Sequence, residues 1–276
     1  MKKVETLRQL QLVGIYIYRD LLSACEKNGL KLYLLGGTLI GAIRHKGYIP
    51  WDDDIDVCMS RTDFNKLMEL TDGKISEKCR IINPADEKDF KGYIPLAVYE
   101  NSSLLSKQFK EVEDLKIGIS IFIYDGVPKN ALTRKLYFMR MYMLRAEHAL
   151  CRADFKNVNT RAAKLMGPIL SPFYNPKNVY KYKNKILKWQ QKYPYDKSEY
   201  VSTNADKDSW KEVFPKKDFE IAAEVDFEGI RSWAFSYYDE HLTRYYGDYM
   251  QLPPEDAQIP KHSFEAQIED EFVFEE

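Results

Sequence analysis

Four carboxylates fall within five residues, at Asp52, Asp53, Asp54 and Asp56, and a Gly36-Gly37-Thr38 run stands a short distance before them. Read with strand alternation, Asp54-Ile55-Asp56-Val57-Cys58-Met59 puts Asp54 and Asp56 on one face. Two carboxylates side by side repel unless a cation neutralises them. An all-oxygen ligand set suits Mg²⁺ or Mn²⁺, which take one or two carboxylates plus substrate phosphates. The two glycines carry no Cβ to hold a ligand off the backbone, and successive N–H groups in such a turn form a concavity for phosphate. Residues 39–44 read as a helical turn whose N-terminus faces the same anion. Arg44, His45 and Lys46 add positive charge, and Pro50 and Trp51 pin the loop just before the acids. A run of acids alone is more often a solvated loop. The short, fixed distance to Gly-Gly-Thr favours a metal and phosphate site instead.

These residues need elements to position them. The apolar run 31–35 reads as a short buried strand that ends at the glycines. Ahead of it, Leu7, Leu10, Gly14, Ile17, Leu21, Ala24 and Cys25 recur at helical spacing, which predicts one helix over 5–28, stopped by Asn28-Gly29. Ser60-Arg61-Thr62-Asp63 has the form of a capping box for a helix over 64–70, closed by Asp72-Gly73. Strands are expected at 79–83, 93–99 and 117–124, the last turning out at Asp125-Gly126. Residues 219–227 alternate as a strand, 238–246 read as a helix ending at Gly247, and the acidic 269–276 reads as a loose tail.

The stretch 129–192 differs in composition. It holds fifteen Lys or Arg against Glu147 and Asp154. Helices are expected over 131–152 and 177–192, with Pro168, Pro172 and Pro176 breaking the chain between them. Such charge is commonly a solvated helix face. Its interleaved Tyr, Phe and Trp also suit contact with an anionic glycan or with the inner leaflet of a membrane.

The 276 residues, 45% hydrophobic, allow one large domain carrying an insert. A net charge of −1 gives no overall field for nucleic acid, and no nucleic-acid module is legible, so none is expected as a partner. Cys25, Cys58, Cys79 and Cys151 form no Cys-x-x-Cys pair and fit a reducing cytosol. The N-terminal stretch is interrupted by Arg8, Gln9, Gln11, Arg19 and Asp20, so no signal peptide is expected, and no run reaches membrane-spanning length. A cytoplasmic location follows, with peripheral contact at the inner membrane face.

The run Leu35-Gly36-Gly37-Thr38-Leu39-Ile40-Gly41-Ala42-Ile43-Arg44-His45-Lys46-Gly47-Tyr48-Ile49-Pro50-Trp51-Asp52-Asp53-Asp54-Ile55-Asp56-Val57 resembles the signature of the LicD family, the bacterial cholinephosphotransferases related to fukutin. A second block, Leu242 to Pro254 and including Asp248, resembles the family's C-terminal motif, and His262 stands where the family usually carries a histidine. The resemblance implies an α+β fold of nucleotidyltransferase type: a mixed sheet flanked by helices, here in one domain over 1–276 with the basic helical insert at 129–192. It implies an active centre in which Asp54 and Asp56 hold Mg²⁺ (or Mn²⁺), Gly36, Gly37 and Thr38 cradle phosphate, and Arg44 or Lys46 steadies the departing CMP.

The implied reaction moves phosphocholine from CDP-choline to a hydroxyl of a teichoic acid, capsule or lipopolysaccharide precursor. Glycerol or ribitol phosphate from a CDP donor is the alternative. Asp53, Asp125 and His262 are candidate bases for the acceptor hydroxyl. Trp51 is the candidate aromatic face for a choline head, and Asp125, Asp248 and His262 are candidate substrate contacts. One departure stands out. The family carries an aspartate in an Asp-Ile-Phe block, and here the matching residues are Ser120-Ile121-Phe122. Losing that carboxylate puts two-metal chemistry in doubt and leaves open a binding protein with weakened turnover.

Overall fold

The computed structural model describes residues 1–106, 109, 113–155, 161–205, 208–260 and 265–274. In chain order it runs β1 (Lys2–Val4), α1 (Leu7–Lys27), β2 (Tyr33–Leu34), α2 (Gly36–His45), β3 (Asp56–Ser60), α3 (Arg61–Thr71), β4 (Cys79–Ile82), β5 (Leu96–Tyr99), β6 (Ser102–Ser106), β7 (Glu113–Leu115) and β8 (Gly118–Val127). It continues through α4 (Ala131–Arg152), α5 (Arg161–Leu170), α6 (Val179–Gln190), β9 (Tyr200–Ser202), β10 (Phe214–Pro215), α7 (Lys216–Phe219), β11 (Ala222–Phe227), β12 (Ile230–Phe235), α8 (Tyr238–Tyr246) and β13 (Glu265–Ile268).

The α+β class expected from the sequence is the one observed. A mixed sheet runs β10-β9-β8-β3-β2, and β5, with β4 beyond it, pairs onto the first half of β8. Within it β3 and β8 are parallel, and β2 runs antiparallel to β3. The long β8 therefore acts as the spine: its start pairs with β5 and its end with β9. Helix α1 opens with the Thr6/Gln9 capping box and packs its apolar face on β5 and β8. One core joins these elements to the β11–β12 hairpin and α8.

Several expectations are corrected. The strand predicted over 31–35 is only two residues long, and the chain turns into α2 at Gly36. Strand β3 begins at Asp56, where its pairing with Ser120 of β8 begins, and Asp54 lies in the loop before it. Pro168 does not break the chain but sits inside α5, while Pro172 and Pro176 lie in short 3₁₀ turns. The stretch 219–227 is the end of a short helix followed by β11.

The acidic C-terminal segment is anchored as well. Strand β13 joins β1, β6 and β7 in a second sheet, and Phe272 beyond it is buried. Glu269 accepts hydrogen bonds from Lys78, Tyr99 and Asn101. In the basic stretch α4 and α6 pair around a small separate core of Met141, Leu144 and Ile186. Among the described residues no helix is long and apolar enough to cross a membrane.

Candidate active site

The site forms where β2 hands over to α2. Leu35 takes extended backbone as the N-cap of α2, and Gly36 follows at φ +57°, a conformation costing an ordinary residue about 1–2 kcal/mol. That reversal aims the first amides of α2 outward beside β3. Space is tight there. A Cβ on Gly37 would lie 2.7 Å from Oδ2 of Asp52, and one on Gly36 would lie 3.7 Å from Oδ2 of Asp56 and 3.3 Å from the Tyr246 hydroxyl. The Asp56 amide donates to Oγ1 of the buried Thr38 at 2.9 Å, and the Leu35 amide to the Asp56 carbonyl at 3.0 Å. Thr38 thus locks the helix start to the strand that carries the carboxylate.

The acidic loop is held from three sides. The Asp52 amide donates to the Ile49 carbonyl, and the Asp52 carbonyl accepts from the Gln11 side chain of α1 at 2.9 Å. The tip of the β11–β12 hairpin adds a clamp. Glu228 accepts from the Tyr48 amide and from Arg8, each at 2.9 Å, and its own amide donates to the Lys46 carbonyl. Gly41 and Gly47 are small because the chain crosses itself there: a Cβ on Gly41 would meet the Gly47 carbonyl at 2.4 Å, and one on Gly47 would meet the Glu228 carboxylate at 2.5 Å. Burial works against ionisation of Glu228, but Arg8 and the Tyr48 amide outweigh it and hold the carboxyl below its ordinary range.

Within this frame Asp52, Asp53 and Asp54 bring one carboxylate oxygen each within 4.8 Å of the others. Asp54 is exposed, Asp53 half-buried and Asp52 buried. Asp56 stands at the start of β3, beside Gly36. Ser120 is its direct partner on β8, in parallel register, so both side chains leave the sheet on one face. The carboxylate missing from the family pattern is thus missing beside Asp56. Ser120 lies on the strand next to that of Asp56.

The remaining candidates separate. Arg44 donates to the carbonyls of Tyr249 at 2.7 Å and Gln251 at 3.2 Å, and to His45 at 2.9 Å. Its guanidinium ties α2 to the segment after α8, and burial lowers its pKa. Trp51 meets His45 edge-on at 6.4 Å, beside the acidic loop. Lys46 is exposed and caps α2 in the left-handed conformation at φ 60°. Asp248 is exposed in the turn after Gly247.

Asp125 belongs elsewhere. It lies five residues along β8 from Ser120, 1% exposed, and accepts both Nε and Nη2 of Arg61 at 2.9 and 2.8 Å. Burial raises its pKa, opposed by the hydrogen bonds and charge of Arg61. This carboxylate pins the start of α3 to the sheet and does not face the Asp56 centre. His262 lies outside the described residues. Sequence reasoning missed Tyr246, which the C-terminal block contained, and Glu228, whose role rests on a contact between distant segments.

A mixed sheet flanked by helices, with a glycine-led helix start, one carboxylate on the neighbouring strand and three in the loop before it, makes this an α+β protein. The family model described as LicD/FKTN/FKRP, nucleotidyltransferase domain, matches residues 29–142, from just before β2 into α4. The lipopolysaccharide cholinephosphotransferase LicD of Haemophilus influenzae is 34% identical over 97% of this chain and 100% of its own length. Uncharacterized proteins RP689 of Rickettsia prowazekii and RT0683 of Rickettsia typhi match shorter stretches, at 37% identity over 54 residues (20% of each chain) and 40% over 47 residues (17% of this chain and 15% of its own). The chain belongs to the LicD family.

Proposed function

We propose that the protein is a CMP-releasing phosphotransferase that moves phosphocholine from CDP-choline to a hydroxyl of a bacterial surface glycan. The observation that carries this reading is the convergence of the α2 N-terminus, Asp56 and the Asp52–Asp54 loop, in a chain similar from end to end to a protein named a cholinephosphotransferase. The acceptor is a lipid-linked or soluble precursor of lipopolysaccharide, teichoic acid or capsule, met from the cytoplasmic side, with the basic helices as a peripheral membrane contact.

The donor set fits a hard divalent cation: oxygen ligands only, close together, partly exposed and beside the glycine-led start of α2. Asp54 and Asp56 would hold Mg²⁺ (or Mn²⁺), with Asp53 next to them, and the ion would supply charge neutralisation on the diphosphate. The chain's own part is positioning. The amides of Gly36, Gly37 and Thr38 face the phosphate and carry the positive end of the helix dipole. Arg44 holds the Tyr249–Gln251 segment against α2, keeping Tyr246 beside Gly36. Asp53, half-buried in the same loop, is our choice among the candidate bases for the acceptor's proton. Trp51 and Tyr246 are the aromatic faces available to a quaternary ammonium, which is attracted through ring quadrupoles and cannot donate a hydrogen bond.

Asp54→Asn and Asp56→Asn are expected to cut Mg²⁺-dependent CMP release from CDP-choline by roughly 100-fold or more, as loss of an electrostatic stabiliser does, with the melting curve unchanged. Unaltered metal dependence in both variants removes the assignment. CMP release from CDP-glycerol or CDP-ribitol alone would replace choline as the donor alcohol.

A further inference from the structure

We infer that α5, together with the outer stripe of α4, is an in-plane docking element for an anionic lipid bilayer. This inference stands apart from the choice of donor. Helix α4 is apolar on two faces. Tyr137, Met141, Leu144, His148 and Cys151 are buried inward. On the opposite side Leu132, Leu136, Met139 and Met143 follow one another at steps of four, three and four residues, which is one stripe of a helix. They are 69, 52, 54 and 48% exposed, although an ordinary solvated face carries polar residues there.

Helix α5 goes further. Of its residues from Lys164 to Leu170 only Gly167 is buried, where the Phe155 ring packs against its backbone, and every side chain there is exposed. Leu165, Met166, Ile169 and Leu170 are all exposed, and Phe173 just beyond is 83% exposed. Among the described residues, half of the twenty exposed large hydrophobics thus lie between Leu132 and Phe173. A soluble monomer rarely leaves so much apolar surface clustered unless something covers it.

The surrounding charge selects the occupant. The stretch 129–192 holds fifteen Lys or Arg and two acids. Between α4 and α6, Arg140, Leu144, Lys185, Lys188, Trp189 and Lys192 line an open groove of about 650 Å³, with Nζ of Lys192 3.9 Å over the Trp189 ring. Apolar side chains framed by cations match a bilayer whose acyl region lies beneath anionic headgroups. A second copy of the chain would bring the same positive charge against itself. A polyanionic glycan would meet the cations but has nothing for Leu165, Ile169 or Phe173.

The test is co-sedimentation of the full chain with phosphatidylcholine vesicles, with and without phosphatidylglycerol. Binding is expected to be strong with phosphatidylglycerol and weak with phosphatidylcholine alone, where only apolar insertion contributes. It should weaken but persist in about 1 M salt, where the Debye length is about 3 Å, because inserted apolar groups are not screened. Ile169→Ser combined with Phe173→Ser should lower partitioning at least roughly tenfold and leave CMP release with a soluble acceptor unchanged. Absent binding to phosphatidylglycerol vesicles at low salt overturns the inference. So does equal binding by the double variant, or a wild-type dimer that the double variant converts to monomer. CMP release is read separately, so failure of the donor reading leaves this result interpretable.

Discussion

At the scale of single residues, two polar positions on β8 have opposite fates. Ser120 sits across from Asp56, where strands run about 4.8 Å apart. Ser120→Asp therefore puts two carboxylates side by side. At that spacing, repulsion at an effective dielectric between protein surface and water is roughly 1–3 kcal/mol. The variant should melt below wild type in EDTA and regain or exceed wild-type stability in Mg²⁺. Melting curves that respond equally to Mg²⁺ in both proteins would show that no cation is shared at this position. Asp125 is the contrast. Read from sequence, both a turn-forming aspartate and a catalytic one were open; the structure puts it inside β8, buried against Arg61 and apart from Asp56. Asp125→Ala strands a guanidinium that is itself largely buried, so thermal stability should fall by about 3–5 kcal/mol. A variant of normal stability but without activity would return Asp125 to the chemistry. Which acids stand on the strand and which in the loop was not legible, because it depends on where β3 begins to pair with β8, at Asp56 and Ser120.

Elements defined by local signals were legible. Helix α1 with its stop, α3 with Ser60 accepting from the Asp63 amide, and α8 with Gly247 beyond it all stand where the pattern put them. Elements defined by distant partners were not. The sheet β1-β13-β6-β7 joins residues 2–4 to 265–268 and 102–106, and Ser-Ser-Leu-Leu-Ser at 102–106 shows no alternation. The β11–β12 hairpin turns on Glu228-Gly229, both at positive φ, without the Asn-Gly or Asp-Gly pair that usually marks such a turn. The acidic tail was misread because its charges have partners elsewhere in the chain. Hydrogen bonds from Lys78, Tyr99 and Asn101 hold the Glu269 carboxyl down at about 2, against 4.5 for an ordinary glutamate. A carboxyl depressed on folding stabilises above its unfolded pKa and loses that contribution as pH falls through the folded value. Wild type should thus lose stability relative to Glu269→Gln between about pH 4.5 and 2, with urea midpoints converging at the lower end. Parallel midpoint curves would show that the contact does not hold the tail.

Across the whole molecule the apolar interior is divided unequally. One continuous core runs from α1 through the central sheet to α8 and β13, while α4 and α6 close on a small cluster of Met141, Leu144 and Ile186 with Tyr93 and Trp189 packed against it. The helical insert was legible as a change of composition, but its dependence on polar ties to the loop before β5 was not. Lys183, almost fully buried, donates to the carbonyls of Glu87 and Phe90 at 2.9 and 2.8 Å, and the His148 ring bonds the Lys91 carbonyl at 2.8 Å. A region with few buried apolar contacts opens at lower free energy than the main core. Burial, helped by the positive charge of Arg152 and Lys183, lowers the His148 pKa to about 4, against 6.5 when exposed, although the bond to Lys91 pulls the other way. Between those values the opened state binds more protons than the closed one, so the insert must weaken as pH falls from 6.5 toward 4. Native-state hydrogen exchange, corrected for intrinsic rates, should show α4 and α6 opening more easily than β3 and β8 at pH 7. The opening free energy of α4 and α6 should drop further at pH 5 in wild type, but not in His148→Gln. The variant comparison isolates this group, because His241, also buried and lowered to about 4, lies in the main core against Phe235 and titrates only when that core opens. If the two proteins lose the same protection in α4 and α6 at pH 5, the insert is not held by neutral His148, and its coupling to the loop rests on Lys183 instead.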